Sequence, residues 1–311
     1  MSVRIGARPS ALAMVQAEYV KSRLAAVMPG AVFEILPIRT SGDKLKDASL
    51  ARVGGKGLFI RELEQALADG KIELAVHSMK DLPATLPAEF QIAAVPERED
   101  VRDILVSAAG GDFSALPAGA RVGTSSMRRR FQALRKNPAL EVVALRGNVD
   151  TRLKKVAEGK LDAIIIAAAG LNRLGRAGEI KFTILDERDF IPAGGQGALA
   201  IETRANGVSL ELETALEALD DSHAHYQTAA ERAFLAMLGA SCTTPVGVRA
   251  TVGEKLSIRA ILFSPDGKHS MADELEAPVE FNLSPPIAAG VGRTLAERML
   301  ARGAKALIGD E

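Results

Sequence analysis

This chain of 311 residues has one cysteine, no tryptophan and a formal net charge of zero. The one cysteine, Cys242, excludes an internal disulfide framework and a zinc site built from several cysteines. Tryptophan is missing and aromatic residues make up 4% of the chain, so a platform for stacking sugars or bases is not expected. Lys+Arg and Asp+Glu each number 39, and this balance argues against a dedicated binder of nucleic acids or anionic membranes.

Long hydrophobic runs are also missing. The longest apolar stretch, Ala163–Leu171, is far shorter than the roughly 20 residues of a membrane-spanning helix. The first residues lack the layout of a secretory signal, so we expect a cytoplasmic protein with no membrane association. Hydrophobic residues make up 47% of the chain, which is enough for several buried cores and suits two or three domains.

The order of predicted elements indicates the fold class. Through the first two thirds of the chain, short β-branched and aliphatic runs alternate with helical patterns, which predicts βαβ units in two α/β domains with mostly parallel sheets. The pattern then changes to a long helix at 222–238, three strands and a helix at about 284–302. This is typical of a small α+β domain with an antiparallel sheet.

Positive charge is concentrated between Arg121 and Lys155, where ten basic residues accompany two acidic ones. Within this stretch, residues 123–126 follow a predicted strand and open a helix, a place where free backbone N–H groups bind anions. Arg128 and Arg129 add guanidinium groups suited to carboxylates or phosphates. A solvated basic face and a nucleic-acid surface at 121–155 are the alternatives.

Other candidate groups lie outside this basic stretch. Lys80 and Asp81 follow a buried strand predicted at 72–76, where a carboxylate beside a cation suits general acid–base chemistry, with a structural salt bridge as the alternative. The glycine-rich loop 54–57 is cationic but is not a Walker loop, and it can equally be a plain surface turn. Cys242 lies among small and hydroxyl residues, which favours exposure. His77 fits a buried, hydrogen-bonded histidine better than a ligand, and no metal site is expected.

Together these segments resemble the porphobilinogen deaminase (hydroxymethylbilane synthase) family, from Arg4 to about Arg249 and more weakly beyond. The matching motifs are GGKGLF at 54–59, AVHSMKDLP at 75–83, RED and RD within 98–103, GTSS and RR within 123–129, LRGN and TR within 145–152, and GQGA at 195–198. Their shared order, more than any single motif, makes the resemblance specific.

The resemblance implies a fold of three domains. Two α/β domains similar to type II periplasmic binding proteins would face each other across a cleft, and a small C-terminal α+β domain would hold the cysteine. The expected boundaries are residues 1–96 plus 196–217 for domain 1, 97–195 for domain 2, and 218–311 for domain 3. The chain would cross between the first two domains near 96–100 and 192–196.

The resemblance also implies an activity. The family members are transferases that condense four porphobilinogen molecules head-to-tail, releasing ammonia, to give the linear tetrapyrrole hydroxymethylbilane. Their dipyrromethane cofactor is joined to a cysteine through a thioether, for which Cys242 is the candidate, and no metal, nucleotide or redox cofactor is implied. We expect a monomer without nucleic-acid or membrane partners, whose product could pass to uroporphyrinogen-III synthase.

Site roles follow from the matching motifs. Asp81 would be the catalytic carboxylate, assisting departure of the amine and stabilising the cationic azafulvene-like intermediate. The cofactor contacts besides Cys242 would be Lys80, Ser126, Arg128, Arg129 and Arg146. The substrate contacts would be Arg8, Ser10, Lys56, Arg152, Arg173 and Gln196. Residues 42–57 would form a mobile lid.

Five positions depart from the family pattern: Pro9 replaces Gln, Arg52 replaces Lys, Gly194 replaces Val, and Ser241 and Thr243 replace Gly and Gln. None of these removes a proposed catalytic group, although Pro9 and Ser241 could alter the local backbone. The rival interpretation is a non-catalytic anion-binding clamshell, which would need neither the cysteine nor the catalytic carboxylate.

Overall fold

The computed structural model describes residues 1–44, 60–241, 243–279 and 282–309. Some of the predicted features therefore lie outside the described residues: Cys242, Arg52, the 54–57 loop with Lys56, and all but the first residues of the predicted lid.

The described residues form thirteen strands and ten α-helices. The strands are β1 (Ser2–Ala7), β2 (Val32–Pro37), β3 (Leu74–Ser78), β4 (Phe90–Ala94), β5 (Asp103–Ser107), β6 (Arg121–Gly123), β7 (Glu141–Val143), β8 (Ala163–Ala167), β9 (Phe182–Ile184), β10 (Leu199–Arg204), β11 (Val246–Val252), β12 (Lys255–Phe263) and β13 (Ser270–Pro278). The helices are α1 (Ala11–Val27), α2 (Ser41–Lys44), α3 (Arg61–Ala68), α4 (Met127–Lys136), α5 (Val149–Ala157), α6 (Ala168–Arg173), α7 (Leu210–Leu219), α8 (Ser222–Leu238), α9 (Pro285–Ala301) and α10 (Ala304–Ile308).

The first sheet has the strand order β2-β1-β3-β10-β4. Strands β1, β2 and β3 are parallel, whereas β10 runs antiparallel to both of its neighbours. Apolar side chains of α1 and α7 pack on one face, and those of α3 pack on the other. Because helices cover both faces of the sheet, Leu74, Ala75 and Val76 are all buried along β3. This explains why the central strand of the sheet consists of consecutive apolar residues.

The second sheet repeats this layout, with the order β7-β6-β8-β5-β9. Here β5 is the strand that runs antiparallel to its neighbours. One core lies between the sheet and α4, and a second core lies under α5 and α6 on the opposite face. The predicted α/β class is confirmed by these two sheets.

The chain passes between the two sheets twice. It leaves β4 for β5 through residues 95–102 and returns from β9 to β10 through residues 185–198, so each crossing ends in the antiparallel strand of the sheet that it enters. The crossings are in contact, since the Glu99 N–H donates to the Gly197 carbonyl at 3.1 Å. Gly197 has a φ of +85°, and a Cβ there would lie 2.3 Å from the Glu99 oxygen. This position therefore requires glycine both for its backbone angle and for the close approach.

The third sheet is antiparallel and has the order β11-β12-β13, with α8 and α9 packed against it around one core. This confirms the predicted α+β unit. Gly194, which departs from the family pattern, lies where this unit meets the second crossing. A Cβ at Gly194 would lie 2.8 Å from Val248 and 2.9 Å from Leu235, so those two side chains already fill the space.

A buried carboxylate joins the third unit to both crossings. Glu231 in α8 is 0% exposed and accepts two hydrogen bonds from Arg98 of the first crossing, at 2.9 and 2.8 Å. It also accepts from the N–H of Gly195 in the second crossing at 2.6 Å and from the N–H of Ala250 in β11 at 2.9 Å. Four donors offset the cost of taking this charge out of water, which is several kcal/mol per ion.

We expect Arg98→Met to lower the free energy of unfolding by about 3–5 kcal/mol, because it removes the cation that hydrogen-bonds the buried Glu231 carboxylate and leaves the more distant Arg249, whose Nη1 lies 3.7 Å away. Urea unfolding followed by circular dichroism measures this change. The control is Arg259→Met, which removes an exposed pair with Glu274 and is expected to cost about 1 kcal/mol or less. Equal losses in the two variants would contradict the importance of the buried junction.

Candidate active site

A single turn at the end of β3 presents the predicted acid and its neighbouring cation. Met79–Asp81 form one 3₁₀ turn, in which Met79 is buried, Lys80 is half-buried and Asp81 is exposed. The Met79 N–H donates to the Ala198 carbonyl at 3.0 Å, so the second crossing holds the start of the turn.

The start of α1 lies beside this turn. Ser10 caps the helix by accepting from the Ala13 N–H at 3.3 Å, and no acidic residue in the first turn of α1 compensates the positive end of its dipole. A cavity of about 70 Å³ is lined by Ser10, Gln16 and Asp81 among others. Gln16 donates to the Ser78 hydroxyl at 3.0 Å. Gln16 and Ser78 were not among the predicted site residues.

Arg8 also lines this cavity, but its guanidinium group is paired. Its Nη2 lies 2.5 Å from Oδ1 of Asp43 in α2, and its Nε donates to the same oxygen at 3.2 Å. Burial would raise the pKa of Asp43, but the hydrogen bonds from Arg8 and Thr40 outweigh it and lower the pKa.

The second sheet contributes the loops after β6 and β7. Ser126 caps α4 by accepting from the Arg129 N–H at 3.4 Å. The Ser125 hydroxyl donates to the Leu145 carbonyl at 2.6 Å, which joins the two loops and places the exposed Arg146 next to the start of α4.

Arg128 and Arg129, predicted as cofactor contacts, are both buried, at 4% and 7% exposure, and both pair with a carboxylate inside the protein. Nη1 of Arg128 lies 2.6 Å from Oδ2 of Asp103, and Nη2 of Arg129 lies 2.7 Å from Oδ1. Burial would raise the pKa of Asp103, but the charges of the two arginines outweigh it and lower the pKa far below its usual range. Part of the positive charge of these two arginines is therefore balanced by Asp103 inside the protein.

Gln196 lies in the second crossing between the two sheets and is 0% exposed. Its Oε1 accepts from Lys80 Nζ at 3.2 Å and from Arg129 Nη2 at 3.3 Å. Its Nε2 donates to Asp103 Oδ1 at 2.9 Å and to the Val101 carbonyl at 2.8 Å. One amide from the second crossing thereby joins the turn after β3 to the start of α4.

The remaining predicted arginines also lie near the crossings or the joined loops. Arg152 in α5 donates to the Gly147 carbonyl at 2.8 Å, and Arg173 in α6 donates to the Gly197 carbonyl at 2.8 Å. Burial lowers the pKa of both. The charge of Arg129 lowers the pKa of Arg152 further, whereas the charge of Asp81 raises it, so these three side chains lie within electrostatic reach of one another.

Lys80 also lies close to other positive charges. Burial, followed by the charge of Arg129, lowers its pKa to about 8, although Asp81 and Asp103 act in the opposite direction. A cluster of cations that is partly removed from water and only partly neutralised favours an anionic ligand.

His77 is buried, as predicted, and its Nε2 lies 2.9 Å from Oε2 of Glu202 in β10. In the described ranges no group of three His, Cys, Asp or Glu side chains could hold a metal ion. None of the helices in the described part of the chain is long and apolar enough to cross a membrane.

Comparisons with known proteins cover nearly the whole chain. A family model described as "Porphobilinogen deaminase, dipyromethane cofactor binding domain" matches residues 3–211, and one described as "Porphobilinogen deaminase, C-terminal domain" matches residues 225–301. Two similar proteins, from Syntrophus aciditrophicus and Chromobacterium violaceum, are both named porphobilinogen deaminase. The first is 46% identical over 98% of this chain and 97% of its own length. The second is 46% identical over 98% of this chain and 96% of its own length.

Solved structures with some similarity include two solute-binding proteins. A TRAP periplasmic solute binding protein from Desulfovibrio salexigens is 12% identical, with a TM-score of 0.44, over 71% of this chain and 72% of its own. The probable amino-acid transporter binding protein ytmK from Bacillus subtilis is 14% identical, with a TM-score of 0.43, over 70% of this chain and 91% of its own.

We expect Lys80 to lose its proton near pH 8, because its surroundings disfavour the charged form. In a Cys242→Ala variant, competitive acetylation mapped by mass spectrometry should label Lys80 at a rate that rises through about pH 8, since only the neutral amine reacts. The control is Lys255, whose pKa is raised by its hydrogen bond to Glu276 and which should react only at higher pH. Coincident profiles for the two lysines would contradict the proposed environment of Lys80.

Proposed function

The chain belongs to the porphobilinogen deaminase family, and from this premise we propose that the cleft between its first two sheets is where the reaction takes place. The enzyme is a transferase that condenses four porphobilinogen molecules head-to-tail, with loss of ammonia, into hydroxymethylbilane, and it uses a dipyrromethane cofactor. The observation that supports this location most directly is that Lys80 and Arg129 both donate to Gln196, at the point where the chain crosses between the sheets, while the charge of Asp81 acts on Lys80.

The residues around the cleft fit the charge of the cofactor. Each pyrrole ring bears an acetate and a propionate, so dipyrromethane and the growing chain add two carboxylates per ring. Partly buried cations with lowered pKa values, such as Lys80 and Arg152, are stabilised in their charged form when carboxylates approach. A cleft with this surplus of charge suits the cofactor and its extension, even though the whole chain has zero net charge.

We propose the following division of contacts. The cofactor would be held by Lys80, Ser126, Arg128, Arg129 and Arg146, and the substrate by Arg8, Ser10, Lys56, Arg152, Arg173 and Gln196. Cys242, which is the only cysteine in the sequence, would form the thioether. Arg128 and Arg129 would act as part of a unit with Asp103, because that carboxylate fixes the direction of both side chains.

Asp81 would act on the reacting atoms. When bound, dipyrromethane supplies the pyrrole carbon to which the first substrate ring is joined. The Asp81 carboxylate would accept a hydrogen bond from the pyrrole N–H of porphobilinogen and stabilise the positive charge that develops as ammonia leaves. It would also assist removal of the proton after the new bond forms. Its exposed position at the end of β3 leaves it accessible to a substrate in the cleft.

We further propose the division into domain 1 (1–96 and 196–217), domain 2 (97–195) and domain 3 (218–311). The return of β10 to the first sheet supports the split first domain. A cytoplasmic monomer that passes its product to uroporphyrinogen-III synthase completes the proposal and rests on the family alone.

The intact mass of the denatured protein tests the attachment of the cofactor. We expect the wild type to exceed its sequence mass by two porphobilinogens, each less ammonia, and Cys242→Ala to show no such excess. If the wild type is unmodified, incubation with porphobilinogen should add the same mass. A wild type that stays unmodified after incubation would favour the anion-binding clamshell over the enzyme.

We expect Asp81→Asn to lower kcat by about 10²–10⁴-fold with little change in KM, because the amide cannot move a proton or balance a positive charge. Steady-state formation of hydroxymethylbilane measures this effect. Asp69→Asn is the matched control, since Asp69 binds Lys71 at the surface of the same domain, and this variant should keep its rate. A near-normal rate in Asp81→Asn would remove Asp81 from the mechanism.

A further inference from the structure

Two consecutive residues of α8 contact different parts of the catalytic region. Glu231 binds both crossings, as described above, and Arg232 binds the segment that follows Asp81. Nη2 of Arg232 donates to the Ala84 carbonyl at 3.0 Å, and Nη1 lies 3.9 Å from the sulfur of Met79. A helix of the third unit thus contacts both ends of the segment that contains Asp81.

Two prolines reduce the backbone hydrogen bonding of the segment after Asp81. Pro83 and Pro87 lack a backbone N–H, so neither of them can pair with a neighbouring strand or loop through that group. The start of the turn is fixed by the bond from the Met79 N–H to the Ala198 carbonyl. On the other side of Asp81, the side chain of Arg232 supplies a strong, charged donor to Ala84.

The surroundings of Arg232 disfavour its charged form. Burial lowers the pKa of its guanidinium to about 10, although the nearby Glu202 carboxylate opposes the shift. Among the described residues, Arg232 forms no ion pair, and Glu202 instead binds His77. Burying a cation against a main-chain carbonyl without a contacting carboxylate is unfavourable for stability, so stability alone does not account for this arginine.

We infer that Arg232 is a positioning residue for Asp81. By holding the Ala84 carbonyl from α8, it fixes the segment that follows the turn and therefore the direction of the Asp81 carboxylate relative to the third unit. In the sequence, Cys242 lies four residues after Leu238, the last residue of α8. This inference rests on the proposed function, because it gives Asp81 the role argued there.

The test compares Arg232→Met with Arg232→Lys in the cofactor-loaded enzyme. Misplacing a catalytic group by about 1 Å can cost about 10²-fold in rate, so we expect Arg232→Met to lower kcat by about 10- to 100-fold while KM changes by less than about threefold. Arg232→Lys keeps a charged donor for the carbonyl and should recover most of kcat. Should the methionine variant not fold, Arg232→Gln replaces it in the comparison.

Arg204→Met is the matched control. Arg204 in β10 likewise donates to a backbone carbonyl of the first domain, that of Leu67 at 2.7 Å, but it does not contact the Asp81 turn. We expect its loss to leave kcat within about twofold of the wild type, a change of less than about 0.5 kcal/mol in the barrier. If Arg204→Met loses as much activity as Arg232→Met, the effect reflects general stability and the inference is wrong.

Hydrogen exchange gives a readout that does not depend on turnover. We expect the amides of residues 79–89 to exchange faster in Arg232→Met than in Arg204→Met, because the turn opens more often. Unchanged exchange, or a kcat of Arg232→Met within about twofold of the wild type, would overturn the inference while leaving the proposed function intact. A wild type with neither cofactor mass nor turnover would instead overturn the proposed function, and the positioning role of Arg232 with it.

Discussion

The arrangement of the cleft depends on the carboxylate of Asp103. It lies at the first residue of β5, where the chain enters the second sheet, and it is 0% exposed. Without it, the guanidinium groups of Arg128 and Arg129 would be buried with no anion to balance them, at a cost of several kcal/mol per ion. With it, the two side chains are fixed, and Gln196 has an acceptor that orients its amide.

The Asp103 carboxylate links the two crossings to the charged side chains of the proposed active site. Both crossings contribute to the same few hydrogen bonds: Val101 from the first and Gln196 from the second. Movement of one sheet relative to the other therefore acts directly on the side chains that contact Lys80 and Arg129. Glu231 attaches the third unit to the same crossings. All three units are therefore in contact at the crossings that contribute to the charged side chains of the cleft.

Local signals predicted most of the secondary structure. Helix 222–238 has the predicted bounds, since Asp221 caps its start and Gly239, with a φ of +67°, ends it. The strand predicted at 72–76 lies instead at 74–78, because the Lys71 and Ile72 N–H groups still bond to the Ala66 carbonyl at the end of α3. Strand β10 has a weaker apolar pattern, because Glu202 and Thr203 interrupt its apolar run. Both are nevertheless buried in β10.

The sequence alone predicts the order of α/β and α+β units, the motifs of the family, and the position of Lys80 and Asp81 directly after a buried strand, because periodicity, caps and motifs are properties of neighbouring residues. Tertiary contacts control which cations are neutralised and which groups hold the turn in place. The partners are far apart in sequence: Arg128 and Asp103 are separated by 25 positions, Lys80 and Gln196 by 116, and Arg232 and Ala84 by 148. Burial and charge pairing depend on these distant contacts, so a local pattern cannot reveal them.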